Sequence, residues 1–300
     1  MTPAAPLRLP VRLPRSYLYV PGNAPDKLAR ALDRGADALI VDLEDAVPPA
    51  GKDRARADVL DWLRGVDPGG CQLWVRVNPG RDRAADLAAL AAAPHLTGIV
   101  PAKLADRADL DQLVAALAQA GDTTTLVMPL LETASAVLSA AAIAGGPRVH
   151  QLQIGEVDLC ADTGIEPGPD EAELAPIRTQ VVLCAAAAGI HPPVGPVSRN
   201  FTDLDALERS TRRLKRQGFF GRCCIHPAQV EVVNRVFTPT DAQVADAARL
   251  VAAFDAATAR GEGVVVDDAG QMVDLAVIRT ARQVLAAAQP TGAGPGTTPT

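Results

Sequence analysis

Short runs of β-branched and aliphatic residues alternate with alanine-rich stretches along most of the chain, and this alternation limits the fold more than any other feature. It is the pattern of βα units wound around a parallel sheet. Candidate strands fall at 16–20, 38–42, 73–77, 98–100, 125–130, 149–154, 194–197 and 220–225. Between them, helices are predicted over 25–34, 52–63, 107–120, 133–144, 173–189, 203–217 and 227–236. Pro25 and Pro227 suit first helical turns, and Gly35, Gly121, Gly189 and Gly218 stand where helices should stop. Eight strand–helix units is the number that closes a TIM (β/α)₈ barrel. An open doubly wound sheet is the rival, but its glycine-rich phosphate loop is missing: after the first strand the chain reads Val20-Pro21-Gly22-Asn23-Ala24-Pro25.

The barrel is expected to occupy 14–238. Beyond it, a long helix over 241–260, a glycine-punctuated hairpin over 261–272 and a last helix over 274–288 form a C-terminal extension, 239–289. Residues 1–13 and the Gly/Pro/Thr tail 290–300 lack apolar anchors and read as disordered. The net charge of −6 argues against a nucleic-acid surface. No apolar run is long enough for a membrane span, and five scattered cysteines fit a reducing compartment, so a cytoplasmic protein is expected.

In a barrel, chemistry sits where strands end and loops begin. The polar residues there are Asp42, Glu44 and Asp45 after the second strand, Arg76 and Asn78 in the third, Lys103 after the fourth, Glu132 after the fifth, Glu156 and Asp158 after the sixth, and His226 after the eighth. So many carboxylates at one mouth repel unless a cation joins them. A hard divalent ion such as Mg²⁺ takes oxygen ligands, often one or two carboxylates plus waters. Glu132 and Asp158 are the best pair for direct ligation, with Glu44 and Asp45 orienting metal-bound waters. An inward Arg76 needs an anion: a substrate carboxylate, a developing enolate oxygen, or a structural bridge to Asp42 or Glu44. Lys103 reads as a barrel-top salt bridge, Asp162 as a brace for the turn after Asp158, and Asp274 as a helix N-cap.

Taken together these segments resemble the citrate lyase β-subunit-like (CitE-like) group of the HpcH/HpaI aldolase superfamily. The resemblance is carried by Arg15-Ser16-Tyr17-Leu18-Tyr19-Val20-Pro21-Gly22, Asp42-Leu43-Glu44-Asp45-Ala46-Val47, Val75-Arg76-Val77-Asn78-Pro79, Pro129-Leu130-Leu131-Glu132-Thr133, Gly155-Glu156-Val157-Asp158-Leu159 and Gly221-Arg222-Cys223-Cys224-Ile225-His226-Pro227, in that order. It implies a Mg²⁺-dependent lyase, trimeric or hexameric, that makes or breaks a C–C bond in a 3-hydroxy-diacyl-CoA such as malyl-, citramalyl- or citryl thioester. The products are a 2-oxo acid and acetyl- or propionyl-CoA. By the same likeness, Glu132 and Asp158 match metal ligands, Arg76 the substrate-binding arginine, Glu44 and Asp45 the metal's surroundings, and Asp274 an acid/base that enters a neighbour's site. Arg15 and Lys52 match basic residues near CoA. A citrate lyase β subunit working only with an acyl-carrier protein, a malate-synthase-like or thioester-hydrolysing enzyme, and a non-catalytic CoA-binding scaffold are the alternatives. Two departures stand out. The group's Leu-Pro-Lys after strand four is here Val100-Pro101-Ala102-Lys103, which shifts the lysine, and Gly-Ala-Glu-Asp after strand six is here Gly155-Glu156-Val157-Asp158.

Overall fold

The computed structural model describes residues 13–91, 93–259, 265–266 and 272–288. Six parallel strands pair in the spatial order β5-β4-β3-β2-β1-β8: β1 (Ser16–Pro21), β2 (Ala38–Asp42), β3 (Gln72–Val77), β4 (Leu96–Pro101), β5 (Leu126–Val127) and β8 (Arg222–Cys224). The remaining arc is β6 (Leu130–Leu131) paired with β7 (Gln153–Ile154), joined on by the parallel bridges Val127 to Val149, Gln153 to Val194 and Gly195 to Arg222. With β5 and β6 counted as one stave and 194–195 as another, eight parallel staves return to β1, and the barrel closes as expected.

Period-two alternation fills its interior. Tyr17, Ala38, Ile40, Trp74, Val100, Met128, Leu130, Val194 and Cys223 form one buried cluster, each from the face of its strand that points inward. The tyrosine hydroxyls inside are satisfied: Tyr17 donates to Gln151 at 2.8 Å and Tyr19 accepts from Gln153 at 2.8 Å. Gly98 makes room for the largest member, since a Cβ there would stand 2.4 Å from the Trp74 ring and 2.6 Å from the Leu126 carbonyl. β2 is buried along its whole length, because helices cover its outer face.

The predicted helices form with shifted ends. The stretch 133–144 divides into Ala134–Leu138 and Ala140–Ala144 around Ser139, and 25–34 into Pro25–Leu28 and a 3₁₀ turn, Leu32–Arg34. Two helices go beyond the sequence reading, Gly80–Leu90 and Glu156–Thr163. The first hides behind a Pro-Gly pair that reads as a turn.

The chain divides into two compact units, one comprising Pro14–Arg235 and the other running from Val236 onward. In the second, Asp241–Ala259 and Leu275–Ala288 pack through Phe254 and Ile278, together with Val273 of a short antiparallel pair, Val265–Val266 with Met272–Val273. The ends expected to be disordered, apart from Leu13, and most of the expected hairpin at 261–272 lie outside the described residues. Among the described residues no helix is long and apolar enough to cross a membrane.

Gly98→Val should lower stability by about 1–3 kcal/mol or more, because the Trp74 ring and the Leu126 carbonyl cannot both retreat from a closed barrel. Urea unfolding of the variant beside the parent measures the shift in midpoint.

Candidate active site

The alternation that packs the barrel also selects the polar residues that reach its mouth. Asp42 follows Ile40 by two positions, Arg76 follows Trp74, Glu132 follows Leu130 and Tyr19 follows Tyr17, so all four continue the inward face to the C-terminal strand ends. Asp42 and Arg76 are also register partners across β2 and β3.

Arg76 is held by three carboxylates. Its Nε and one terminal nitrogen donate to the two oxygens of Asp42 at 2.7 and 2.6 Å. The other terminal nitrogen lies 2.9 Å from Glu44 and 3.5 Å from Asp45, and the guanidinium stands 5.2 Å from the Tyr19 ring centroid. Burial works against its charge, but the Asp42 hydrogen bonds and the nearby acids outweigh it and hold the proton more firmly than usual. The structural bridge allowed by the sequence is therefore formed, and any substrate contact of Arg76 falls to its remaining N–H groups. Asp42 further accepts the backbone N–H of Glu44 and of Ala46, folding the turn that carries Glu44 and Asp45. Burial raises the proton affinity of Glu44, with Arg76 opposing it.

Beside this cluster stands a second. Glu132 is 1% exposed and accepts the backbone N–H of Lys103 at 2.7 Å. The Lys103 ammonium lies 2.6 Å from Asp158 and 3.6 Å from Glu132. Lys103 adopts φ = 51°, the left-handed region, at a cost of about 1 kcal/mol for a side-chain-bearing residue. That turn of the backbone points both its N–H and its side chain at the same two acids. Gly155 leaves space for Glu132, because a Cβ there would come within 2.7 Å of the Glu132 Cβ. Burial raises the proton affinity of Glu132 to about 7, with the neighbouring Asp158 pushing the same way. For Asp158, burial is outweighed by the Lys103 hydrogen bond, then by Glu132, and its affinity falls. The two carboxylates are thus pushed in opposite directions, Glu132 toward the protonated form and Asp158 toward the charged one.

Asp158 lies in the first turn of the helix Glu156–Thr163 rather than at a strand end. Asp162, four residues on, accepts the backbone N–H of Ala134 at 2.7 Å and ties this helix to the loop after Glu132. Glu156 faces away into a bidentate pair with the buried Arg178, at 2.6 and 2.7 Å. The two acidic clusters open on a cavity of about 410 Å³ lined also by Tyr19, Gln153, Val197 and Arg199. Sequence reasoning passed over these four. Tyr19 and Gln153 carried a usable signal, being in phase with inward Tyr17 and Gln151, whereas Arg199 sits in an irregular loop where no periodicity applies.

The donor set fits a hard divalent ion. Among the described residues no group of three His, Cys, Asp or Glu side chains is placed to hold a metal ion, so the protein would supply two carboxylates. That is the regime of Mg²⁺, which keeps several waters, and a cation would relieve the repulsion between two carboxylates this close.

Three expected residues lie elsewhere. Arg15 precedes β1 and clamps Asp37, which precedes β2, at 2.7 and 2.8 Å. It therefore sits at the N-terminal end of the barrel, opposite the carboxylates, where it braces two strand starts. Lys52 is on the functional side but spends its ammonium on the carbonyls of Leu43 and Glu44, at 2.7 and 2.6 Å. Asp274 belongs to the second unit, where its carboxylate caps the last helix by accepting from the backbone of Ala276 and Val277.

A closed parallel barrel with an acidic, cation-braced mouth at its C-terminal end belongs with the barrel aldolases and lyases in form. Comparison with known proteins gives the family. Residues 15–227 match the model of the HpcH/HpaI aldolase/citrate lyase family, and the chain belongs to it. A (3S)-malyl-CoA thioesterase of Cereibacter sphaeroides is 38% identical, covering 92% of this chain and 94% of its own length. An L-malyl-CoA/beta-methylmalyl-CoA lyase of the same organism is 32% identical over 93% and 96%. The crystal structure of CitE from Mycobacterium tuberculosis in complex with magnesium, acetoacetate and coenzyme A is 30% identical and superposes with a TM-score of 0.76, covering 93% of this chain and 99% of that one.

The proton on Glu132 sets a pH dependence. Its affinity is higher in the folded state than the ordinary 4.5, so the stability it contributes is full below about pH 4.5 and is lost as the pH rises through about 7. Glu132→Gln should flatten this slope in metal-free protein, as read by urea unfolding at pH 5 and pH 8.

Proposed function

We propose that the chain is a Mg²⁺-dependent CoA-ester lyase acting on a 3-hydroxy-diacyl thioester of the malyl, citramalyl or citryl type. The observation that carries this reading is the pair of buried Glu132 and half-buried Asp158 at the barrel mouth beside the Arg76 cluster. Glu132 and Asp158 would hold the ion, which when bound supplies Lewis-acid polarisation of oxygens. Asp42 and Glu44 keep the Arg76 guanidinium charged and fixed, so that its free N–H groups offset negative charge on an oxygen at the reacting centre without reorganising. The Tyr19 and Leu130 side chains make the floor of the cavity apolar, which limits water around the bond that breaks. A base takes the proton of the 3-hydroxyl, the bond between the carbinol carbon and the thioester α-carbon cleaves, and the α-carbon then gains a proton. By family likeness Asp274 delivers that proton. The products are a 2-oxo acid and acetyl- or propionyl-CoA.

A second reading is favoured by the relative named as a (3S)-malyl-CoA thioesterase: the same site would direct water to the thioester carbonyl and release the free acid and CoA. Product analysis separates the two. With malyl-CoA and Mg²⁺ the lyase yields glyoxylate and acetyl-CoA, and hydrolysis yields malate and free CoA. Loss of all turnover is expected on chelation of the metal, and on Glu132→Ala or Asp158→Ala. Full activity in either variant would refute the ligand assignment. Asp274→Asn preserves the capping oxygen but removes the acid, so it should depress kcat about 10²-fold or more with little change in KM. An unchanged kcat would leave Asp274 as a helix cap.

A further inference from the structure

Lys103 stands two residues after β4, and its backbone takes up a left-handed conformation that turns it toward the acids. Its ammonium lies 2.6 Å from Asp158 and 3.6 Å from Glu132, in the space between the two carboxylates that are read above as metal ligands. We propose that Lys103 is a built-in competitor of the metal: its ammonium neutralises the Glu132–Asp158 pair in the metal-free protein and must withdraw before a divalent ion can use both carboxylates.

Three observations carry this. Among the described residues Lys103 is the cation that forms ion pairs with both acids, while Arg76 beside it is tied to Asp42 and Glu44. The Lys103 backbone is anchored to Glu132 through its N–H, so the side chain can swing without disturbing the loop or the acid. A place to withdraw to exists. Lys103 also lines a separate cavity of about 380 Å³ between the helices Gly80–Leu90 and Arg107–Gln119, where Gln112 offers an oxygen, the Asp109 carboxylate being taken by Arg83 and by the backbone N–H of Ala105. Two cations cannot share a site a few ångströms wide without mutual repulsion, so the lysine and the ion exclude one another.

The inference rests on the metal-ligand reading of Glu132 and Asp158. Its test is Mg²⁺ binding by titration calorimetry on the full chain, with Mn²⁺ and electron paramagnetic resonance as a second probe. Lys103→Gln keeps the backbone N–H and removes the charge, and should bind Mg²⁺ about tenfold tighter or better than the parent. Equal or weaker binding by Lys103→Gln overturns the proposal while leaving the ligand assignment intact. Absence of binding in both proteins, or undiminished binding in Glu132→Gln, overturns the ligand assignment and this proposal with it. A measurement on the unaltered protein does not depend on the variant folding: Mg²⁺ should speed labelling of the Lys103 amine by an acylating reagent, followed by peptide mass spectrometry. An unchanged or slower rate counts against withdrawal.

Discussion

Five carboxylates, Asp42, Glu44, Asp45, Glu132 and Asp158, share one end of the barrel with Arg76 and Lys103, and their mutual repulsion is what the surrounding structure contains. Like charges brought together out of water either take up protons or recruit cations. Both responses are present. Arg76 gathers the first three acids, Lys103 bridges the other two, and Glu132 keeps its proton to near neutral pH. The two clusters differ in a way that suits them to different work. The Arg76 cluster is locked by a bidentate pair across adjacent strands, whereas the Lys103 bridge is made by a flexible ammonium that can leave.

Restraint of the acids comes from the backbone turns and side chains packed around them. Asp42 organises its own turn through two backbone N–H groups, and Lys52 closes that turn from the other side. Asp162 and Gly155 set the spacing between the Glu132 loop and the helix that carries Asp158. Arg178 takes up the Glu156 carboxylate in a bidentate pair, so this acid, two residues before Asp158, is not a third member of the Glu132–Asp158 pair.

Relatives of similar likeness carry names for two reactions, cleavage of a C–C bond and hydrolysis of a thioester. A fold and a charged mouth are compatible with both, since function lives in the finer arrangement of the site. The difference turns on whether water reaches the thioester carbonyl, and on what donates the proton to the α-carbon.

The barrel was legible from the chain because eight apolar runs alternating with helices fit a closed parallel sheet and the glycine-rich loop of the open doubly wound rival is missing. The strand-end rule put Asp42, Arg76 and Glu132 at one mouth, and the fold decided that Arg76 points inward. Local pattern failed where residues act across the sequence. Arg15, expected near CoA by likeness, lies before its strand at the end of the barrel opposite the carboxylates, paired with Asp37. Asp158 was assigned to a strand end, and only the fold showed it in a helix whose first turn points it back at Glu132. Which acid pairs with Arg76, which with Lys103 and which with Arg178 was decided by tertiary structure. The reason is physical: strand periodicity depends on neighbours in the chain, whereas a salt bridge between residues 29 or 55 positions apart depends on where packing puts the elements that carry them.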